Sequence, residues 1–384
     1  MAEGEAVPAA QRGSWGQFLK QLASFSGDLS SLTAPSFILS PTSLCEFSTY
    51  MGEVTEAFAA CSASVATTPE ERILAVTRWW ILQLKGSFTR REDQTGSEKK
   101  PLNPVLGEQF LGKWPESGSI GETTLVSEQV SHHPPINAYY IENKAAKVSL
   151  QGHCAQKTSF SGKSINVKQV GHAIMRITLP DGKVESYLCT LPKLRIEGLL
   201  FGSPSVELSE SSDIHGSTGW HTHIEYKGRG WTGGKSHSFT ASVAPSANEA
   251  MSKKPTHVIE GVWTGASSFT SGPRAKKPFA DASAANTTHE IEVAPIDSQG
   301  PMESRRVWRD VADGIRKGQF DQASAAKSKL ENDQRQKRKD EVAGSKPFQL
   351  AFFTHVESDE DYAILAAGFG HTPSTQEGFL RNAQ

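Results

Sequence analysis

The chain has 384 residues, with 40 Lys plus Arg against 42 Asp plus Glu, and a formal net charge of −2 argues against a protein that coats nucleic acid nonspecifically. Hydrophobic residues make up 37%, with 18 Phe and 8 Trp, enough to bury a substantial core and to exclude wholesale disorder. No apolar run approaches the roughly 18 residues of a membrane-spanning helix, and the first ten residues are acidic where a secretory signal would be basic, so a soluble intracellular protein is expected.

Residues 1–13 read as a flexible leader. Ser14–Leu29 follows with helical periodicity: at 100° per residue, Trp15, Phe18, Leu19, Leu22, Phe25 and Leu29 fall within about a 120° arc. The opposite face, Gln17, Lys20, Gln21, Ser24, Gly27 and Asp28, is poor in charge. Such a stripe either packs on a core or enters a membrane interface with little electrostatic attraction. Beyond Pro35 and Pro41, Ser43–Phe58 is a weak helical candidate, and Glu70–Phe88 is apolar on most sides, which predicts a largely buried helix.

From about Gly121 to Gly265 the texture is short β-rich runs, from TTLVSEQV through LRIEGLLF to THVIEGVW, separated by Gly, Asp, Asn and Pro. That repetition predicts consecutive antiparallel strands in a large sheet or barrel, without strand–helix alternation. Residues 266–302, rich in Ser, Ala, Pro and Gly, are expected as loop. Pro301–Glu341 returns to helix, densely charged at its end, and the tail containing DYAILAAGF carries no clear signal. Four cysteines, Cys45, Cys61, Cys154 and Cys189, lack CxxC spacing and read as reduced thiols.

Gly228 to Gly233 matches GxGxxG, but Lys235–Val243 behind it reads as a strand, so a hairpin connection is expected rather than a dinucleotide site. In Ser131-His132-His133-Pro134-Pro135 the prolines stiffen an extended segment, and neither metal-ligand spacing nor a nucleophile elbow accompanies the imidazoles. Anion binding beside Lys99 and Lys100 and a structural turn both remain open there. Lys327, Glu331 and Arg335 are spaced i, i+4, i+8; alone they read as an ion-pair ladder worth about 0.2–0.5 kcal/mol per pair.

In combination these segments resemble a known family. EQVSHHPP at 128–135 is similar to the fingerprint of the oxysterol-binding-protein-related family, and GSEKKPLNPVLGE at 96–108 resembles the segment preceding it there. Residues 14–41 resemble the N-terminal lid of the short yeast Kes/Osh-type members, and ESRRVWRDVADGIRKGQF at 303–320 the late helix. The resemblance runs from about residue 14 to about 341. It implies a β-rich α+β fold: a large, nearly closed antiparallel β-barrel with an internal hydrophobic tunnel, an N-terminal lid helix and flanking helices. One lipid-binding domain over 14–384 is then expected, with a lid at 14–35, a helical segment at 43–88, a barrel core at 100–265 and late helices at 301–341. A short member is implied, without PH module, ankyrin repeats or a motif for docking to the endoplasmic reticulum.

The resemblance also implies ligands. Lys100, His132, His133, Lys327 and Arg335 match the basic positions that hold the phosphatidylinositol 4-phosphate headgroup. Glu331 matches the acidic position between the last two, and Leu102 and Asn103 match headgroup-contacting positions. The implied second cargo is an ergosterol- or cholesterol-like sterol entering head-first, with phosphatidylserine or no second cargo behind it. Gln169 retains a polar tunnel position, whereas Met51 replaces an aromatic residue, Ser87 an amide, Phe88 a tyrosine and Cys154 an asparagine. The implied activity is exchange of the two lipids between membranes, with a lipid sensor or regulatory adaptor as the alternative. No catalytic residue, cofactor or metal is expected, nor a nucleic-acid partner; protein partners are left unspecified. The implied location is cytoplasmic, in transient contact with membranes such as Golgi or endoplasmic reticulum.

Overall fold

The β-rich middle of the chain forms a 14-stranded antiparallel sheet that begins at Gln109–Trp114 and ends at Lys277–Asp281. The computed structural model describes residues 12–25, 34–95, 97–228, 235–272, 275–284, 287–344, 348–369 and 372–383. Sequence neighbours are mostly sheet neighbours, with one excursion. The adjacent runs SINVKQV and AIMRITL form one strand, Ile165–Thr178. Its first part pairs with Lys193–Glu197 and its second with Val184–Thr190. Gly171 sits between the two parts at φ +129°, where a Cβ would lie 2.1 Å from the His153 carbonyl oxygen. Only glycine allows that close approach.

The helix Pro69–Thr95 is longer than its apolar pattern indicated. Thr68 caps it: its hydroxyl accepts from the Glu71 amide, and the Glu71 carboxylate accepts from the Thr68 amide, a reciprocal capping box with Pro69 at the first helical position. The helix buries Ile73, Val76, Trp79, Trp80, Ile81 and Leu84 in one cluster with Phe110 and Phe279 from the two end strands of the sheet. The sheet therefore wraps round this helix. Among the described residues the end strands are not hydrogen-bonded to each other, so the ladder does not close the ring. Lys113 instead pairs with Glu292 across the outer edge of the first strand.

Three expectations are corrected. Residues 266–302 are not all loop, because Ala266–Ser271 and Lys277–Asp281 extend the sheet beyond residue 265. Backbone pairing to His257–Val262 specifies the first of these, not apolar alternation. LRIEGLLF is not one strand: it ends at Glu197, and Leu199–Phe201 form a 3-10 turn between Gly198 and Gly202, at φ +74° and +70°. Ser43–Phe58 is broken into three short helical pieces. Of the GxGxxG segment, residues 229–234 lie outside the described residues; the flanking strands His221–Lys227 and Ser238–Ala244 pair antiparallel, as a hairpin requires.

The late region forms helices at Ser304–Val307, Arg309–Arg316 and Phe320–Ala343. The tail, unassigned from sequence, contains the hairpin pair Phe353–Val356 and Gly378–Arg381 and the helix Glu360–Ala366. It docks on buried imidazoles: Tyr362 stacks on His172 at 4.5 Å and Phe379 meets His153 at 5.4 Å. Burial lowers His153 to about 4, with His355 adding to the effect, and lowers His172 to about 3. Both rings are neutral in the fold but take up protons near pH 6.5 once unfolded. Their contribution is therefore complete above about pH 6.5 and is lost as the pH falls toward 4 and then 3. Melting followed by circular dichroism should show a drop from pH 7 to pH 4 that His172→Phe makes shallower. Equal drops in both proteins would remove this role for His172.

Candidate functional site

Side chains alternate across a strand, so residues two apart share a face. On three neighbouring strands this places Asn137 and Tyr139, then Cys154, Gln156 and Thr158, then Ile165, Val167 and Gln169 round one cavity of about 280 Å³. Met51, Ser87 and Phe88 line it from the helical segments. All five positions expected in a tunnel, Met51, Ser87, Phe88, Cys154 and Gln169, thus share one space.

Their polar groups are engaged with protein partners. The Ser87 hydroxyl donates to Gln83 Oε1 at 2.6 Å, and Gln169 Nε2 donates to the Pro192 carbonyl at 2.8 Å. The Cys154 thiol meets Gln169 Oε1 at 3.6 Å, and burial pushes that thiol up to about 12, so it stays protonated.

The N-terminal helix spans Arg12–Ser24. Trp15, Phe18 and Leu22 are buried and line the cavity, while Leu19 packs beside them against a cluster containing Phe37, Leu102, Leu199 and Trp308. Phe25 departs from the expected stripe: the helix ends before it, and it is 37% exposed. Leu29 lies outside the described residues.

The expected anion-binding residues come from three segments. Lys100 and Asn103 line the cavity, on and just after a short strand that pairs in parallel with Leu39–Ser43. Leu102 is fully buried in the cluster beneath the helix and does not line the cavity. His132 ends the extended strand Thr123–His132, opposite Pro135, and His133 with Pro134 makes the tight hairpin turn between the two strands. The two imidazole rings are 4.6 Å apart.

Burial is the main cause that lowers the His132 pKa, followed by its neighbour His133; the Pro104 carbonyl and the Glu331 charge act in the other direction, and Arg338 lowers it further. The hairpin therefore faces both the 100–104 segment and the helix Phe320–Ala343. On that helix Lys327 is ion-paired with Glu331, as the i, i+4 spacing indicated, while Arg335 is exposed and donates to Asn332 Oδ1 at 2.9 Å.

Sequence reasoning missed several residues. Arg338 lies over the Phe348 ring at 5.0 Å and 2.8 Å from Glu341 Oε2, close enough for its charge to act on His132. Its spacing of eleven residues from Lys327 brings it round to the same helix face, a signal present in the sequence. Within the fingerprint, Glu128 is structural: its carboxylate accepts from the Ala351 and Phe352 amides at 2.8 and 2.9 Å, fastening the tail to the strand that carries the histidines. Gln129, next to it, lines the cavity. Among the described residues, no group of three or more His, Cys, Asp or Glu could hold a metal ion. None of the described helices is long and apolar enough to cross a membrane.

A family model described as oxysterol-binding protein matches residues 17–369. The chain is similar to Protein KES1 of Mycosarcoma maydis, 53% identical over 381 residues, covering 98% of this chain and 97% of that one. It is also similar to Protein kes1 of Schizosaccharomyces pombe, 45% identical over 356 residues, covering 91% and 89%. In three dimensions it resembles the Osh1 ORD domain crystallised with cholesterol, with a TM-score of 0.70 and 21% identity over 95% of this chain and 86% of that one. The Osh3 ORD of Saccharomyces cerevisiae, crystallised with PI(4)P, gives 0.65 and 23% over 88% and 86%. At those identities the structural likeness speaks for the fold.

Proposed function

Because the chain belongs to the oxysterol-binding protein family, whose members bind and transfer lipids and are not enzymes, we propose that it carries a sterol and phosphatidylinositol 4-phosphate alternately in one cavity and exchanges them between membranes. The observation that carries this reading is continuity: Trp15, Phe18 and Leu22, the five tunnel positions, and Lys100 with Asn103 all line the same space. Two lipids that need one space compete for it, so loading one expels the other. A gradient of the phosphoinositide then drives net movement of the sterol, and no bond is made or broken.

The inositol phosphate lies where the 100–104 segment, the His132-His133 hairpin and the late helix meet. A phosphate has several oxygens and calls for donors from separate segments, and charge-assisted hydrogen bonds are the strong ones. Lys100, His132, His133, Lys327 and Arg335 supply such donors, with Glu331 holding Lys327 in place.

The protein works from the cytoplasm, touching membranes only in passing. Support comes from the turn at Leu199–Phe201: Leu199 lines the cavity, whereas Leu200 and Phe201 point outward, Phe201 being 90% exposed. An apolar tip next to the cavity suits contact with a bilayer from which lipid is drawn. Mass spectrometry of lipids extracted from mixed vesicles tests the cargo, with sterol and phosphatidylinositol 4-phosphate expected. Recovery of phosphatidylserine in place of sterol would overturn the sterol assignment. Vesicle-to-vesicle transfer measured against extraction separates an exchanger from a sensor that binds but hardly transports.

The lid makes a further prediction. Leu22 is 1% exposed, and burying a large apolar side chain is worth about 1.5–3 kcal/mol. Leu22→Asp should therefore slow transfer of both lipids by about tenfold or more and weaken flotation with small, neutral, loosely packed vesicles. If Leu22→Asp and a deletion of residues 1–29 both transfer like wild type, the stripe is a passive packing face.

A further inference from the structure

Four titratable side chains meet on the face of the sheet that the tail covers, and none of them lines the cavity. Ser211–Gly216 and His221–Lys227 pair antiparallel, with Asp213 opposite His223 and His215 opposite His221. Residues two apart share a face of a strand, so these four stand together. Asp213 Oδ1 meets His223 Nδ1 at 2.8 Å and His221 Nε2 at 2.9 Å, and His221 Nδ1 meets His215 Nδ1 at 3.2 Å. Burial opposes ionisation of Asp213, yet the hydrogen bonds from His221 and His223 lower it to about 2, so it is an anion that accepts from both rings.

The tail closes over the other end of this chain of contacts. The Phe369 ring lies 5.4 Å from His215 and 5.2 Å from His221. Gly368 is so close that a Cβ on it would be 2.1 Å from His215 Nε2. The two Nδ1 atoms hold one proton between them, since one nitrogen donates and the other accepts. A second proton there sets N–H against N–H. The alternative place for it, His215 Nε2, is covered by the tail turn and has no acceptor among the described residues. Charging His215 is therefore unfavourable while the turn is docked, and lifting the turn relieves it.

We infer that Asp213, His221 and His215 form an acid-sensitive latch for the tail: a neutral His215 holds the turn Ala367–Phe369 down, and a charged one releases it. Release uncovers Ile174, Leu188, Leu365 and Phe369, which share one buried cluster with Tyr362. Ile174 is on the strand whose first part brings Val167 and Gln169 to the cavity, so the latch braces a cavity wall from outside.

The charges facing His215 are few. Asp213 is on its own strand and His221 on the next, while Leu188 stands opposite on the third strand and Gly368 and Phe369 bring no charge. In the helix before the turn, Asp361 is already paired with Arg176 at 2.5 Å. Burial is the first cause that lowers His215 to about 4, His221 lowers it further, and Asp213 acts the other way. A released ring is back in water and titrates near pH 6.5. Docking is therefore complete above about pH 6.5 and weakens as the pH falls toward 4. His223, raised by its hydrogen bond to Asp213, keeps that partner on the neighbouring strand whether or not the turn is docked.

Hydrogen exchange of the full chain, read as protection factors at pH 7 and pH 5, follows residues 360–369 with the helix Pro69–Thr95 as reference. His172 lies under Tyr362 in the same segment, so the pH effect is read as a difference between proteins. His215→Asn keeps a polar atom where Nδ1 stands but takes no charge. Between pH 7 and pH 5, wild type should lose about tenfold more protection in 360–369 than this variant. Gly368→Ala should lower protection of 360–369 already at pH 7 and leave the reference helix unchanged. Equal pH losses in wild type and His215→Asn overturn the latch, and so does wild-type protection in Gly368→Ala at pH 7. Parallel loss in the reference helix at pH 5 also overturns it, because acid then acts on the whole fold and not on the tail.

Discussion

Replacing His132 and His133 together with Ala is expected to weaken phosphatidylinositol 4-phosphate binding by about a hundredfold or more while sterol uptake stays close to wild type. Two charge-assisted hydrogen bonds, each worth roughly 1.5–3 kcal/mol, are lost at the hairpin, and each factor of ten corresponds to about 1.4 kcal/mol. Neither histidine lines the cavity, so the apolar part of either lipid is untouched. The binding should also depend on pH. Burial, His133 and Arg338 hold the His132 ring below its ordinary pKa, so it is neutral at pH 7 in the unliganded fold. An anionic phosphate beside it favours the protonated form, so affinity rises as the pH falls from about 7 toward 5.5, and the double variant lacks that rise. Phosphoinositide extraction from vesicles at the two pH values, with sterol extraction in parallel, measures both effects. Equal loss of both lipids together with a lower melting temperature would instead make the hairpin a structural turn. Lys327→Ala should show the same selective defect in weaker form, because Glu331 partly neutralises that cation already.

Glu108→Ala is expected to cost about 3 kcal/mol or more of stability, because a buried donor left unpaired costs roughly 1–3 kcal/mol and several depend on this side chain. Glu108 is fully buried, and its carboxylate accepts from the hydroxyls of Ser43 and Ser304 at 2.5 and 2.6 Å, the Trp308 indole at 2.8 Å and the Val105 amide at 3.0 Å. Burial raises its pKa, opposed by those same hydrogen bonds. Removing the carboxylate leaves these donors unpaired in the interior. They belong to three segments, among them the stretch just after Lys100–Asn103, so phosphoinositide affinity should fall along with stability. Urea unfolding reads the first effect and vesicle extraction the second. A loss below about 1 kcal/mol would mean that water or repacking satisfies the donors, and that Glu108 is no keystone.

Local signals made much of the fold legible. Ser14–Leu29 and Glu70–Phe88 were readable because a helix repeats every 3.6 residues, and both occur as helices with shifted ends. Runs such as TTLVSEQV and HTHIEYK combine β-branched residues with turn-formers at their ends, and they are strands. Where pairing partners supply the specification, the sequence was silent. Ala266–Ser271 carries little apolar alternation and is a strand because His257–Val262 offers its backbone groups. LRIEGLLF has the composition of a strand throughout, yet its glycine permits a left-handed turn that exposes Phe201.

By itself the sequence determined the family, through EQVSHHPP and its neighbouring segments, and with it the β-rich architecture and the set of positions to compare. Those signals are local in the chain, so they survive without coordinates. Only the tertiary structure decided what each side chain meets. It assigned Glu128 to fastening the tail, brought Arg338 within electrostatic reach of His132, and put Tyr139 into the cavity wall with its hydroxyl unpaired. A strand's alternation says which residues share a face but not which face is turned inward, nor what stands opposite across the ladder. For Tyr139 the deciding neighbour is Gly152, thirteen residues away in the chain and directly opposite in the sheet, whose missing side chain leaves room for the phenol.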